Sequence, residues 1–282
     1  MIRSVQYQGI AGCVEISNGK ASVIVSTSFG PRVLSYALDG GENVFGWHPE
    51  AAVTTDLGTW KPYGGHRLWL APENMPLSYS PDNDVLEYMQ EGELSARFFQ
   101  KADIAAKIEK QMTVTLDVTS PAVVVDHRIT NRGDEPITAA AWALTIMRPG
   151  GLAIVPNEPL VGYSPETLLP ARSMALWSYT DFTDPRWSFD KDSMRLRVDE
   201  SLGHPQKFGV LNKQGWAAYE VDGIRFTKRF KHVEGADYPD MNSNTEIYTA
   251  GGFIEVETLS PLKVLAPGDM VGHRETWELT RL

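Results

Sequence analysis

Short runs of apolar and β-branched residues alternate with polar positions along most of the chain, a pattern that predicts strands. In the first half the runs cover residues 14–17, 21–26, 32–37, 85–90, 94–100, 107–116, 122–131 and 137–146. In the second half they cover residues 194–198, 207–212, 216–220, 224–230, 245–249 and 252–258. Gly, Asn and Asp lie between many of them, as hairpin turns require. Since no stretch keeps a helical period for more than about two turns, the sequence predicts an all-β protein.

The last two runs carry the most informative side chains. Successive residues of a strand point to opposite faces, so Phe253, Glu255 and Glu257 share one face while Ile254 and Val256 share the other. Glu246 on the preceding run adds a third carboxylate to this region. Two carboxylates that are two residues apart on the same strand face are close enough to perturb each other's protonation. We interpret these carboxylates as candidate functional groups. The alternative is that they are ordinary charged residues on a solvent-exposed strand face.

Two segments, 47–73 and 156–185, break the strand rhythm and are predicted to be loops, where sites are often built. The first contains the cluster GGHRLW, residues 64–69. Its glycines let the backbone approach a ligand, His66 can exchange a proton near neutral pH, and Arg67 offers a planar fork for hydroxyls or a carboxylate. Together with Trp60, Trp69 supplies a flat face for a sugar ring. In the alternative reading, Trp69 packs in the core and Arg67 pairs with Glu73.

A short basic run, residues 227–232, stands out in this acidic chain. Lys228 in this run is a candidate binder of hydroxyls or of an anionic group, with a solvated strand end as the alternative. His127 is in phase with apolar neighbours and is predicted to be a hydrogen-bonded core residue. His273 is likewise predicted to be structural.

Composition limits the function classes. The 282 residues carry a net charge of −10, which argues against a nucleic-acid or anionic membrane surface. Cys13 is the single cysteine, so neither an intrachain disulfide nor a zinc–thiolate cluster can form. The six histidines are scattered, no phosphate-binding glycine loop opens a helix, and no apolar leader or span occurs. We therefore expect one cytoplasmic domain over residues 1–282, without metal or cofactor, although calcium and the oligomeric state stay open.

The order of these features resembles the galactose mutarotase-like, or aldose 1-epimerase-like, β-supersandwich. SFGPRVLSY at 28–36 followed by GENVFG at 41–46 is similar to the family's opening pair of strands. The stretch 126–149, with ITNRGDEP, looks like its middle hairpin, and FIEVETLSPLKVLAP at 253–267 resembles its final acidic strand and the turn after it. The string GGHRLWLAPE resembles a bacterial branch of that superfamily.

The resemblance implies a chemistry. Aldose mutarotases use a late-strand Glu as base toward the anomeric hydroxyl and a His as acid toward the ring oxygen. Glu257 matches that Glu by its place before the final turn, with Glu255 as the alternative. Thr145 stands about where the family's catalytic His would lie, and threonine is no general acid near neutral pH. The resemblance therefore leaves His66 as the expected acid, if the protein is a mutarotase.

The function hypothesis is an aldose mutarotase or epimerase acting on a free sugar or sugar derivative. Its expected catalytic residues are Glu257 and His66, and its expected substrate-binding residues are Arg67, Trp69, Glu73, Lys228, Glu246 and Glu255. One alternative is a sugar-binding or sensing protein without turnover, in which the missing His reflects lost catalysis. A further alternative is a glycan lyase or hydrolase that uses the close carboxylates as acid and base.

Overall fold

The computed structural model describes residues 1–282 and contains 24 strands. The first twelve are β1 Ile2–Tyr7, β2 Ile10–Ser17, β3 Ala21–Ser26, β4 Arg32–Leu38, β5 Trp47–His48, β6 Val53–Thr55, β7 Gly58–Trp60, β8 Tyr63–Ala71, β9 Glu87–Gly92, β10 Ser95–Phe99, β11 Ile108–Leu116 and β12 Val123–Asn131. The others are β13 Ile137–Met147, β14 Leu152–Pro156, β15 Met174–Leu176, β16 Trp187–Phe189, β17 Ser193–Arg197, β18 Gln206–Val210, β19 Trp216–Val221, β20 Ile224–Phe230, β21 Thr245–Ala250, β22 Phe253–Leu259, β23 Lys263–Leu265 and β24 Met270–Arg281.

The strands form two large antiparallel sheets and one small hairpin. The larger sheet has the order β1-β2-β3-β4-β8-β13-β22-β21-β18-β15, with β23 and β5 attached to its middle strands. The smaller sheet has the order β16-β17-β14-β19-β20-β24-β12-β11-β10-β9, and β6 pairs with β7. Helical structure is limited to the turns Leu77–Tyr79, Pro165–Thr167 and Pro239–Asn242. None of these has the length and apolar character needed to span a bilayer.

The main core lies between the two sheets. Alternate residues of each strand point into it, so Ile254 and Val256 of β22 meet Phe226 and Trp277 of the smaller sheet in one cluster of 42 buried residues. Because the opposite residues of β22 point outward, Glu255 and Glu257 lie on the outer face of the larger sheet. The all-β prediction and the division of β22 into a core face and a carboxylate face are confirmed.

The prediction that GGHRLW lies on a loop is wrong. Tyr63–Ala71 is a nine-residue strand at the middle of the larger sheet, paired with β4 on one side and β13 on the other. Both of its faces are covered by other residues. A strand covered on both faces need not alternate apolar and polar side chains, and the polar His66 and Arg67 made the segment look irregular.

The two glycines of that strand serve packing between strands. A Cβ on Gly64, at φ +117°, would lie 2.0 Å from the carbonyl oxygen of Gly46. One on Gly65, at φ +64°, would lie 2.0 Å from the carbonyl oxygen of Val33. We expected these glycines to admit a ligand. Instead they let β8 approach its neighbours, since only glycine combines a positive φ with so little space.

Candidate functional site

A cavity of about 450 Å³ opens on the outer face of the larger sheet. Its floor comes from β8, β13, β18, β21 and β22, whose outward residues converge because the strands are neighbours in the sheet. Segments before β8 and the loop after it form part of its wall. The volume falls in the range of small-molecule sites, roughly 300–1,000 Å³.

Glu257 lies at the floor of this cavity and is fully buried. Its Oε2 accepts a hydrogen bond of 2.8 Å from the Trp142 indole. Its Oε1 has no hydrogen-bond partner in the protein. Burial raises the pKa of Glu257 to about 7, against the opposing effect of the Lys207 ammonium. The carboxyl therefore changes its charge near neutral pH, and no group of the protein satisfies its second oxygen.

Glu246 and Glu257 share one cation. They are direct partners in the β21–β22 register, and Lys207 of β18 places its Nζ 2.8 Å from Glu246 Oε2 and 3.7 Å from Glu257 Oε2. Burial by itself would lower the pKa of Lys207, but the two carboxyls raise it above its ordinary value. Burial raises the pKa of Glu246 strongly. Because the two acids face one ammonium, the protonation of each depends on that of the other.

Arg67 forms the second charged group of the cavity. Its Nη1 donates a 2.6 Å hydrogen bond to Glu255 Oε1. The guanidinium lies 4.4 Å from the centre of the Trp69 ring and 5.2 Å from that of Trp60. Its Nε and the indole nitrogens of Trp60 and Trp69 have no partner in the protein. These three buried N–H groups are therefore donors without an acceptor in the protein.

Aromatic side chains form much of the remaining wall. Trp60, Trp69 and Tyr79 pack against one another with ring centres 5.0–5.5 Å apart. Glu73, exposed at the rim, accepts a 2.6 Å hydrogen bond from the Tyr79 hydroxyl. Tyr179 and Tyr248 line another part of the cavity. Flat apolar faces combined with a few directed polar groups suit a polyhydroxylated ring.

The structure brings together most of the expected site residues but not all. Arg67, Trp69, Glu73, Glu255 and Glu257 line the cavity, and Glu246 lies directly beside them. Arg67 pairs with Glu255 and not with Glu73.

His66 and Lys228 lie elsewhere, inside the sandwich. Adjacent strand residues point oppositely, so His66 points into the core while Arg67 points into the cavity. Its Nε2 lies 2.7 Å from His127 Nε2 and its Nδ1 lies 2.8 Å from Thr145 Oγ1. Burial lowers the pKa of His66 well below its ordinary value. The expectation that His66 acts as acid beside Glu257 is therefore corrected: no histidine lines the cavity.

Lys228 reaches across the core to the back of the larger sheet. Its Nζ forms a 2.9 Å ion pair with Glu275 and donates to the carbonyl oxygens of Ala143 and Val256. A lysine with these three partners and no exposed surface is unavailable to a sugar in the cavity. The expectation that it binds substrate is corrected for that reason.

The side chains of His66, His127 and Glu275 are close enough to be considered as metal ligands, with their donor atoms within 4.8 Å of one another. Each is already engaged: the two imidazoles bond to each other, and Glu275 accepts from Lys228 and from the Trp277 indole. The Lys228 ammonium beside Glu275 also opposes a second cation. We therefore interpret this cluster as a hydrogen-bonded polar layer within the core.

Sequence reasoning missed two residues that hold Glu257. Lys207 begins one predicted strand and Trp142 lies inside another, but nothing in either run marked them. Trp142 and Glu257 are 115 positions apart, and their contact depends on the β13–β22 register. The available signal was that Lys207 and Trp142 lie among small and apolar residues. Such neighbours are typical of buried strands.

Comparisons with solved structures find the same fold. A galactose mutarotase-like protein from Lactobacillus casei ATCC 334 superposes with a TM-score of 0.59 at 13% identity, over 95% of this chain and 100% of that one. A galactose mutarotase related enzyme from Lactobacillus acidophilus gives 0.56 at 9% identity, over 95% and 97%. A TPR-domain containing protein from Parabacteroides distasonis gives 0.61 at 12% identity over 95% of this chain, which spans about half, 47%, of that protein.

No protein-family model matches the sequence, and no curated protein matches it. Since the structural matches are at low identity, they concern the fold. This chain has the galactose mutarotase-like β-sandwich fold, as the order of its sequence motifs predicted.

Proposed function

We propose that the cavity binds a sugar and that Glu257 acts as the base in opening its hemiacetal ring, as in an aldose mutarotase. The observation that carries the proposal is the state of Glu257: a buried carboxyl at the cavity floor, with a pKa of about 7 and one oxygen free of protein partners. A general base works best when its pKa lies near the working pH.

The reaction needs one proton removed and one delivered. Glu257 Oε1 takes the proton of the anomeric hydroxyl while the bond from the anomeric carbon to the ring oxygen breaks. The Lys207 ammonium, 3.7 Å from Glu257, delivers a proton to the ring oxygen. The open-chain aldehyde then recloses on its other face, and both protons return to their donors. Lys207 replaces His66 in this scheme because it is the cation nearest to Glu257.

The aromatic wall and the free N–H groups account for binding. Trp60 and Trp69 supply flat faces, and the Arg67 guanidinium with these indoles supplies donors for ring hydroxyls. Because Glu255 already neutralises Arg67, and Lys207 faces two carboxyls, the cavity favours a ligand without its own negative charge.

A second candidate function is sugar binding without turnover. Two observations favour it. No histidine lines the cavity, and Lys207, whose pKa is raised, is a weak proton donor. In that case the same contacts would hold the sugar, and Glu257 would accept a hydroxyl hydrogen bond.

Saturation-exchange proton NMR of the α and β anomeric signals separates the two. The panel is galactose, glucose and their uronic acids, each with and without protein. Mutarotation predicts faster exchange for at least one neutral aldose. Line broadening without faster exchange favours the binding protein. No effect of the protein on any sugar contradicts both.

A further inference from the structure

A second cavity of about 270 Å³ adjoins the first. Trp69 and Glu73 line both, so the two cavities meet along the end of β8 and the loop that follows it. The second cavity reaches toward the end of the sandwich, where Ile108 and Lys110 of β11 face it.

Lys110 is the unusual residue of this cavity. It lies on the inward face of β11, between Ile108 and Met112 of the core, and is only 5% exposed. Its ammonium has no hydrogen bond or ion pair within the protein: Asp82 and Asp103 act on it only through longer-range attraction. The other two buried lysines, Lys207 and Lys228, each pair with a carboxylate. The Lys110 Nζ is not among the fully buried polar atoms that lack a partner, so the ammonium can be reached from the cavity that its side chain lines.

The residues that line the second cavity indicate which kind of ligand would contact Lys110. Lys110 offers donors, Asp103 and Glu73 offer acceptors, and Ser78 and Thr138 offer hydroxyls. The two carboxylates disfavour an anionic group. Mixed donors and acceptors beside apolar residues such as Leu77 suit the hydroxyls and ring of a sugar.

We propose that the second cavity holds a further sugar unit of a glycan whose first unit occupies the main cavity, with Lys110 as its anchor. The natural ligand is then a disaccharide or a longer glycan, and the loop after β8 lies at the junction between its units. This inference rests on the proposed function, since it takes the main cavity to bind a sugar.

Isothermal titration calorimetry of galactose, glucose, lactose, cellobiose and maltose tests the proposal. At least one disaccharide should bind at least about tenfold more tightly than its monosaccharides. Lys110→Met should remove that advantage while leaving the monosaccharide Kd within about twofold. The matched control is Lys101→Met, which alters an exposed lysine outside both cavities.

Three outcomes of the titrations count against the proposal. Equal affinity for monosaccharides and all disaccharides overturns the second sugar site while leaving the proposed function intact. Unchanged disaccharide binding by Lys110→Met overturns the role of Lys110. A failure of every sugar to bind overturns the proposed function together with this inference.

Stability gives an independent readout. Methionine has a similar length and no charge, so Lys110→Met removes an unpaired charge from a mostly buried side chain, and its urea midpoint should rise above that of the wild type. A lower midpoint would show that Lys110 supports the fold through contacts of its own, and it would contradict the proposal that this lysine awaits a ligand.

Discussion

Glu257 combines three properties at one residue: full burial, one oxygen held by Trp142, and one buried oxygen without a hydrogen-bond partner in the protein. Burial favours the neutral carboxylic acid, whereas Lys207 favours the carboxylate, and the balance places the pKa at about 7. This residue makes the site chemically different from a surface with acidic decoration.

The position of that pKa predicts a pH dependence. Glu257 acts as base only when ionised, so catalysed exchange should rise on the order of tenfold between pH 6 and pH 8 and then level off. The measurement is the anomeric exchange rate at each pH after subtraction of the rate without protein. A catalysed rate that stays flat over this interval would mean that Glu257 is not the group that titrates in the reaction.

Lys207→Met tests the cation that Glu246 and Glu257 share. Without the ammonium, the pKa of Glu257 should rise, since an opposite charge nearby lowers a carboxyl pKa by roughly 1–3 units. The catalysed rate should therefore fall at neutral pH, and any remaining pH profile should move to higher pH. Lys213→Met, at an exposed lysine just after β18, is the matched control. An unchanged pH profile of the catalysed rate in Lys207→Met would mean that this lysine takes no part in the reaction.

The expected site residues that line the cavity and those that do not differ in one physical respect. Glu255 and Glu257 alternate with core residues of their own strand, and alternation is local information. The contacts of Glu257 with Lys207 and Trp142 depend on strands far apart in the chain, and one sequence does not give their register. His66 was misplaced because β8 was taken for a loop. Because β8 is a strand, the His66 side chain lies on the opposite face from those of Arg67 and Trp69.

Among the elements, β8 positions the site most directly, and its glycines permit its place in the sheet. A methyl group at Gly65 would collide with the carbonyl oxygen of Val33, 2.0 Å away. We predict that Gly65→Ala lowers the free energy of unfolding by about 3 kcal/mol or more, through strain and lost strand pairing.

Gly223→Ala is the control for that substitution. Gly223 also has a positive φ, +73°, but nothing lies within 4 Å of the added methyl. It should cost only about 1 kcal/mol, for the left-handed backbone alone. Urea unfolding of both variants provides the comparison. Equal losses would mean that the close approach of β8 to β4 is not what requires Gly65.

At the scale of the whole molecule, a buried polar layer links the two sheets. Lys228 of β20 binds Glu275 of β24 and two backbone carbonyls of the larger sheet. Those carbonyls, of Ala143 and Val256, belong to the strands that carry Trp142 and Glu257. The layer therefore supports the cavity floor from behind.

Lys228→Met should lower the free energy of unfolding by about 3–5 kcal/mol, because it leaves Glu275 buried without a cation. Adding Glu275→Gln should recover part of the loss, since that charge is then removed. Denaturant unfolding of the single and double variants measures both effects. A single variant as stable as the wild type would contradict the account of this layer.

The fold could be predicted further than the function. The order of motifs over the whole chain reflects topology, and the sandwich agrees with it. Function depends on side chains such as Lys207 and Lys110. Their roles follow from how deeply they are buried and from which residues they contact, and the sequence alone does not show either.

The most direct test of the central claim is a comparison of Glu257→Gln with the wild type, measured on the neutral aldose that the wild-type protein exchanges fastest. Gln keeps the size of the side chain and can still hydrogen-bond to Trp142, but it cannot take a proton. We predict that catalysed exchange is lost while the sugar Kd changes by less than about fivefold. Glu135→Gln, at an exposed turn, should behave as the wild type. Exchange that persists in Glu257→Gln at the wild-type rate would contradict the account.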